Sequence, residues 1–227
     1  MNALAASLPV GLPAGRVEVS TSWEIPEGAD TVVAVAHGAG AGMDHPFLVG
    51  FTDALNAVGL ATVRFAFPYR EAGRRMPGPA AHAVATWAAV ADACRTTMPE
   101  ARFVAAGKSY GGRMASMAAS THDTAEAAIA PDALVYLGYP LHPPGAPDKE
   151  RSAHLPSIGA PQLFVEGTID PFIQPIERFA AVVDRCARAD VLWIEGGGHS
   201  FEVKGERRAA DAVGAGLAAP VSAWLAA

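Results

Sequence analysis

The segment Gly107-Lys108-Ser109-Tyr110-Gly111-Gly112 decides how this chain is interpreted, because it matches the pattern G-x-S-x-G. Strand-forming residues (102–106) precede it, and helix-forming residues (110–120) follow it. A nucleophile elbow requires this order of strand, turn and helix: its serine adopts a strained backbone conformation, and the flanking glycines avoid clashes with neighbouring backbone. The alternative interpretation is a tight turn whose serine only caps the helix.

Two nucleotide-binding motifs fail in this sequence. Gly107-Lys108-Ser109 resembles the end of a P-loop, but that motif requires a glycine five residues before Gly107, where Arg102 stands. The glycine-rich stretch 38–42 does not fit the dinucleotide fingerprint G-x-G-x-x-G, since its last position would be Met43 or His45. The sequence therefore favours the elbow over a phosphate-binding loop.

Outward from the elbow, short β-rich runs alternate with helical patterns along the chain. Continuous apolar strands separated by helices indicate a doubly wound, mostly parallel sheet covered on both faces. Residues 16–23 alternate apolar and polar side chains, which is typical of an antiparallel edge strand. The predicted parallel strands are 31–37, 60–67, 102–106, 133–139, 162–166 and 191–195, and the predicted helices are 46–58, 79–97, 110–120, 175–187 and 206–218, with a shorter tail to 227.

The composition favours one large α/β domain spanning residues 1–227. The chain has 227 residues, of which 51% are hydrophobic and 18% charged, whereas disorder requires low hydrophobicity and high net charge. At about 150 residues per domain, this length favours one large domain over two. Lysine occurs at only three positions, which points to a GC-rich bacterial source.

Several classes of partner and cofactor are not expected. The net charge is −6 without a basic block, which argues against nucleic-acid binding. Cys94 and Cys186 are too far apart for a disulfide framework or a C-x-x-C site, and no metal-binding motif occurs, so no metal and no cofactor are predicted. We find no apolar run long enough for a membrane span and no signal-peptide pattern, so a cytoplasmic protein is expected. The oligomeric state stays open.

Two further residues complete a set that follows the chain order serine, acid, histidine. Asp170 comes directly after the predicted strand 162–166, and His199 follows the predicted strand 191–195. The carboxyl ends of parallel strands meet at one edge of the sheet, where open α/β sheets place their sites. Taken singly, Asp170 could start a turn and His199 could be an ordinary loop residue. Together with Ser109 they predict a Ser-His-Asp triad, in which the imidazole accepts and returns the hydroxyl proton.

The same edge offers backbone donors for an oxyanion. The amide after the nucleophile, here Tyr110, usually supplies one donor, and the loop after an early strand supplies the other. His37-Gly38-Ala39-Gly40 occupies that loop, so we assign the second donor to Ala39.

Candidates for contact with the substrate lie around this edge. Arg70 and Arg74 follow the second parallel strand, and their guanidinium groups could hold an anion, although a solvated loop is the simpler interpretation. The irregular segment 141–160 is long enough to wall the site. The remaining candidates for the rim are His37, Gly38, Lys108, His142 and His154.

These motifs together resemble a known family. Seven segments of the chain are similar to segments of the α/β-hydrolase superfamily. They are Ala36-His37-Gly38-Ala39-Gly40, Phe67-Pro68-Tyr69, Gly107-Lys108-Ser109, Gly111-Gly112-Arg113-Met114-Ala115-Ser116, the stretch from Leu137 to Gly145, Gly167-Thr168 with Asp170, and Gly198-His199-Ser200-Phe201. Within it the chain resembles the dienelactone-hydrolase-like group that includes testis-expressed protein 30 and the hydrolase-like domain of NSL-complex subunit 3. The resemblance implies a doubly wound sheet and a hydrolase-type site, but no particular substrate.

The sequence therefore predicts a serine hydrolase that cleaves a small or medium ester, thioester or related acyl compound. No stretch between the fourth and fifth parallel strands is long and helical enough for a large cap domain, so an open site is expected. The alternative is a catalytically silent interaction module that retains the fold. A peptidase is a third hypothesis, disfavoured because no propeller or cap that would screen substrates is recognisable.

Overall fold

The computed structural model describes residues 4–122 and 126–227, and within them one eight-stranded sheet carries the helices on its two faces. The strands are β1 (Leu4–Leu12), β2 (Gly15–Glu24), β3 (Thr31–Ala36), β4 (Ala61–Phe65), β5 (Arg102–Lys108), β6 (Ala133–Leu137), β7 (Gln162–Gly167) and β8 (Ala189–Ile194). The helices are α1 (Pro46–Ala57), α2 (Pro68–Glu71), α3 (Ala80–Thr97), α4 (Tyr110–Ala118), α5 (Ile176–Val183) and α6 (Ala210–Leu225), with a short 3₁₀ turn at Leu155–Ser157.

The strand order is β1-β2-β4-β3-β5-β6-β7-β8, and the strands from β3 to β8 run parallel. The predicted doubly wound, mostly parallel sheet is thus confirmed. After β3 the chain passes to β4 on one side and later returns to β5 on the other. A crevice forms at such a reversal, outside the carboxyl ends of the strands.

Alternate residues of each strand pack into two separate hydrophobic cores, one on each face of the sheet. Because both faces are buried, the strands appear in the sequence as continuous apolar runs. Along β3, Val32 and Ala34 pack with Trp87 of α3 on one face, whereas Val33 and Val35 pack with Phe51 of α1 on the other. Helices α3, α4 and α5 cover the first face, and α1 and α6 cover the second. A sheet buried on both faces holds its strand ends in fixed positions, as a site built from those ends requires.

The N-terminal edge differs in detail from the sequence prediction. The strand expected at 16–23 is present as β2 and pairs antiparallel, as predicted, with β4. The outermost strand is β1, which the sequence analysis did not predict and which pairs antiparallel with β2 along its whole length. Pro9 interrupts the strand pattern of β1, and an edge position tolerates proline because one side of the strand needs no hydrogen-bond donor.

The last helix is longer than expected and begins later. Helix α6 continues through Pro220, whereas the sequence predicted a helix at 206–218 and a separate tail. Val213, Leu217 and Val221 of this helix are buried against α1, so packing holds the helix together on both sides of the proline. None of the helices described has both the length and the apolar run that a membrane crossing needs.

Candidate active site

Ser109 lies in the turn between β5 and α4, in a backbone conformation that L-residues rarely adopt. Its φ is 50° and its ψ is −114°. The turn is held by contacts between backbone segments: a Cβ on Gly111 would lie 2.6 Å from the carbonyl oxygen of Ala36 and 2.7 Å from that of His37. Such strain persists only where the surrounding structure fixes it, and it clusters at functional sites. The elbow geometry expected from G-x-S-x-G is therefore present.

The loops after β7 and β8 are joined to each other by backbone contacts. The amide of Thr168 donates to Ile194 O (3.1 Å), and that of Ile169 donates to Gly197 O (3.0 Å). Gly167 lies so close to Gly197 that a Cβ there would overlap the Gly197 carbonyl group. This junction fixes the two loops that carry Asp170 and His199.

Ser109, Asp170 and His199 lie in hydrogen-bond contact. The Ser109 hydroxyl lies 2.9 Å from Nε2 of His199, and Nδ1 of His199 lies 2.6 Å from Oδ2 of Asp170. Asp170 is completely buried, and its Oδ1 accepts a hydrogen bond from the amide of Phe172 (2.8 Å). A carboxylate only accepts, so Nδ1 donates and Nε2 of the neutral imidazole is left to accept the serine proton.

The surroundings of His199 favour the neutral imidazole. The ring of Phe172 stacks on it with centroids 4.1 Å apart. Burial lowers the pKa of His199 below 6.5, and the charge of Lys108 acts in the same direction, while the hydrogen bond with Asp170 raises it. At neutral pH the ring is therefore in the form that accepts a proton.

The Ser109 turn opens into a cavity of about 610 Å³. Gly38 and Ala39 of the loop after β3 line it, together with Ser109, Tyr110 and His199. The amides of Ala39 and Tyr110 donate no hydrogen bond to any residue that the structure describes. Tyr110 begins α4, and the first amides of a helix have no partner within it. The two amides predicted as oxyanion donors thus lie at the cavity with their N–H groups available.

Lys108 lines the cavity, as predicted, and fastens the histidine loop. Its ammonium group donates to His199 O (2.6 Å) and lies 5.3 Å from the ring centre of Phe201. Burial lowers the pKa of Lys108 to about 8, although Asp170, Glu166 and Glu202 oppose the shift. Lys108 therefore holds the His199 loop against β5.

The side chain of His37, which was predicted to contact substrate, is buried in the protein. Its side chain is fully buried, with Nδ1 at 2.8 Å from Gly38 O, and Nε2 accepts a hydrogen bond from the amide of Phe67 (3.2 Å). Burial lowers its pKa to about 4, so the ring is neutral. His37 therefore joins the loop after β3 to the end of β4, and its side chain is not among the described residues that line the cavity, so contact with substrate stays a prediction.

The other proposed substrate contacts divide in a similar way. Gly38 lines the cavity, as expected. Arg70 donates to Arg74 O (3.2 Å), and Arg74 lines a separate cavity of about 190 Å³. His142 is buried, with Nδ1 at 2.8 Å from Pro143 O. These three side chains are not among the described residues that line the larger cavity. The strand pattern places their backbone at the correct edge of the sheet but does not specify the direction of a side chain in the loop that follows.

Several residues of the site were missed or only partly anticipated. Phe172 and Glu202 line the cavity from positions outside the quoted motifs, and Arg113 lines it from a motif that was quoted without a role for this side chain. Glu166 is completely buried at the end of β7, where its Oε1 accepts from the amide of Tyr139 (2.5 Å), and burial raises its pKa well above the usual range. The sequence contained a signal for Glu166, since it is a charged residue at the end of an otherwise apolar predicted strand. Among the residues described, no group of three His, Cys, Asp or Glu side chains is placed to hold a metal ion.

Comparison with known structures shows the same fold in hydrolases. The dienelactone hydrolase from Anabaena variabilis superposes with a TM-score of 0.76 at 22% identity, over 99% of this chain and 97% of that one. XC6422 from Xanthomonas campestris, an α/β serine hydrolase without lid, gives 0.70 at 19% identity, over 100% and 98%. Est1E from Butyrivibrio proteoclasticus gives 0.68 at 15% identity, over 97% and 99%.

The sequence itself matches one family over nearly its whole length. The model of the Abhydrolase_11 family, described as an alpha/beta hydrolase domain, matches residues 29–223. This range contains the turn at Ser109 and the loops that follow β3, β7 and β8. The predicted resemblance is thereby confirmed at the level of the superfamily, and the chain belongs to the Abhydrolase_11 family of alpha/beta hydrolase domains.

Proposed function

We propose that this protein is a serine hydrolase that cleaves small or medium acyl esters or thioesters through an acyl-enzyme intermediate. The observation that carries the proposal is the 2.9 Å contact of the Ser109 hydroxyl with His199, whose other nitrogen lies 2.6 Å from buried Asp170, at a cavity of about 610 Å³. The comparisons support a hydrolase fold; the roles of the individual residues are our assignment. The closer kinship with testis-expressed protein 30 and NSL-complex subunit 3 stays a prediction.

The proposed reaction uses these groups in two steps. As Ser109 Oγ attacks the acyl carbonyl carbon, Nε2 of His199 takes the hydroxyl proton, and Asp170 stabilises the resulting imidazolium. The amides of Ala39 and Tyr110 donate to the oxyanion. The C–O or C–S bond then breaks, and the leaving group takes the proton from Nε2. A water molecule repeats the sequence on the acyl-enzyme and releases the acid.

The form of the site supports a substrate of modest size that enters directly. A volume of about 610 Å³ lies within the range of sites for small molecules. The segment between β6 and β7 forms only the short turn Leu155–Ser157 instead of a helical cap. Apolar side chains of Phe47, Leu48 and Val213 line part of the wall and suit an acyl chain.

A rapid-quench experiment with p-nitrophenyl esters of two to eight acyl carbons tests this function. We expect a burst of p-nitrophenol and, in acid-quenched samples, one acyl group on the peptide that contains Ser109. Turnover of none of the esters, together with no acyl adduct, would contradict the proposal and favour the catalytically silent interaction module.

A further inference from the structure

Tyr110 lies where two cavities meet. The first is the cavity of about 610 Å³ that contains Ser109, and the second, of about 190 Å³, lies between the β1–β2 hairpin, α2 and the start of α3. Among the described residues that line the two cavities, Tyr110 is the one that both have in common. The proposed reaction uses the first cavity and leaves the second without a role.

The ring of Tyr110 is held by two aromatic neighbours that themselves line the second cavity. It meets Phe67 edge to face with centroids 5.6 Å apart at 77°, and Tyr69 with centroids 6.4 Å apart at 85°. Such contacts between aromatic rings stabilise beyond the area they bury. The backbone of Tyr110 belongs to the turn at Ser109 while its ring packs at the second cavity, so the residue spans the junction.

The second cavity is lined mainly by apolar side chains. Leu12 and Val17 contribute from the hairpin, and Ala83 contributes from α3. Its polar members, Arg74 and His82, keep contact with solvent, the first exposed and the second half-buried. Burial of hydrocarbon in such a space is favourable, whereas a group that needs hydrogen bonds finds few partners there. The chemical class that fits this cavity is an unbranched alkyl chain.

A substrate chain meets Tyr110 soon after the scissile bond. Tyr110 directly follows Ser109, and consecutive Cα atoms lie about 3.8 Å apart. An alkyl chain that leaves the reacting carbonyl group on this side therefore reaches the ring within a few carbons. Beyond the ring lies the second cavity.

We propose that Tyr110 is a specificity-determining residue whose ring closes the catalytic cavity toward the second cavity and so limits the length of the alkyl chain that the site accepts. This inference rests on the proposed function of Ser109. It concerns the side chain alone, since every residue at this position supplies a backbone amide except proline. With a small side chain at position 110, the two cavities join, and the apolar wall of the second cavity receives the far end of a longer chain.

Two ester series test the length limit. p-Nitrophenyl esters with two to fourteen acyl carbons vary the acyl chain, and alkyl butyrates with one to ten alcohol carbons vary the alcohol chain. The readout in each series is the ratio of kcat/KM for a ten-carbon chain to that for a four-carbon chain. In Tyr110→Ala we expect this ratio to rise by about 10- to 100-fold in one series, because each methylene moved from water to an apolar site contributes about fourfold.

Double variants show whether the second cavity is the cause. Val17→Phe added to Tyr110→Ala fills this cavity and should remove the gain. The matched control is Val58→Phe in the same background, since Val58 is exposed after α1 and is not among the described lining residues of either cavity, so the gain should remain. A ratio within one variant cancels any change in absolute rate that comes from a disturbed oxyanion amide.

Further variants keep the test decisive if one protein does not fold. Tyr110→Leu retains more packing than Tyr110→Ala and should give a smaller gain of the same kind. Ala72→Phe fills the second cavity from an exposed position and replaces Val17→Phe where needed. Circular dichroism establishes the fold of each variant before the kinetics.

The outcomes distinguish this inference from the proposed function. Ester hydrolysis by folded Tyr110→Ala with the wild-type ratio in both series would overturn the length limit and leave the hydrolase. A gain that persists after the second cavity is filled, or that Val58→Phe removes as well, would also overturn it. If no ester is cleaved, calorimetry with 1-octanol decides: tighter binding to Tyr110→Ala than to the wild type, lost on adding Val17→Phe, supports the inference, and equal binding overturns it.

Discussion

Two serine–histidine pairs lie two helical turns apart, and they have nearly the same geometry. Ser109 Oγ is 2.9 Å from His199 Nε2, and Ser116 Oγ is 2.7 Å from His154 Nε2. Ser109 lines the cavity, whereas Ser116 is completely buried within α4. Distance alone therefore does not distinguish a candidate nucleophile from a structural serine.

What differs is the direction in which each proton can move. Ser116 donates its hydroxyl proton to the carbonyl oxygen of Arg113, one turn back in the helix (2.8 Å), so His154 is placed to donate to it. His199 instead has Asp170 on its other nitrogen, which leaves Nε2 to accept from Ser109. The strained turn also raises Ser109 out of the helix, where a substrate can meet it. Access to the cavity and backbone strain distinguish Ser109 from Ser116.

Removing each hydroxyl in turn is expected to give the largest contrast. Ser109→Ala should lower kcat for ester hydrolysis by about 10⁴ to 10⁶, because the nucleophile is lost. Ser116→Ala should retain activity and lose about 1 kcal/mol of the free energy of unfolding, the usual value of one hydrogen bond. Steady-state kinetics and urea denaturation measure both. Comparable rate losses in the two variants would remove the distinction drawn between the pairs.

Replacing Asp170 with asparagine, which has nearly the same shape but no charge, is expected to give the next largest decrease in kcat. Asp170→Asn is expected to lower kcat by about 10³ to 10⁴, because the amide favours the wrong imidazole tautomer and does not stabilise the imidazolium. Circular dichroism should show the fold retained. Near wild-type kcat in folded Asp170→Asn would show that His199 does not depend on Asp170.

Disturbing the elbow tests whether its strain matters for activity. In Gly111→Ala the new methyl group meets the carbonyl oxygens of Ala36 and His37, and we expect a loss of about 1–3 kcal/mol of unfolding free energy and about 10²-fold in kcat. Gly159→Ala is the matched control, since no atom lies within 4 Å of its new methyl group. Equal behaviour of the two variants would mean that backbone packing at the elbow does not position Ser109.

The smallest expected effect concerns the pH profile. Burial lowers the pKa of His199, so kcat/KM should stay high as the pH falls below 6.5 and decline only when the imidazole becomes protonated. Phe172→Ala removes the stacked ring and exposes His199, which should move the midpoint of this decline upwards, toward 6.5. A midpoint that does not move, or that moves down, would show that Phe172 does not shield the histidine.

The sequence sufficed for those parts of the fold and site that depend on order along the chain. The parallel strands follow from apolar runs, and Ser109, Asp170 and His199 follow from their places after β5, β7 and β8. Their positions after neighbouring parallel strands favoured a contact between them, and the structure supplies its distances. The outer strand β1 escaped prediction because Pro9 and Gly11 obscure its pattern.

Side-chain direction is what the sequence could not supply. His37 and Arg70 come from the correct edge of the sheet, yet the His37 ring is buried, where it accepts from the Phe67 amide, and the Arg70 side chain donates to Arg74 O. Phe172 and Glu202 reach the cavity from positions outside the quoted motifs. Each depends on how one loop or helix turn packs on another, which no local pattern encodes.

Covalent labelling tests the central claim, that Ser109 is the nucleophile, most directly. The wild type, Ser109→Ala and Ser116→Ala would be treated with a fluorophosphonate probe, and the modified peptide would be located by mass spectrometry. We expect one probe on the peptide containing Ser109 in the wild type and in Ser116→Ala, and none in Ser109→Ala. Undiminished labelling of Ser109→Ala, or no labelling of folded wild-type protein, would contradict the account.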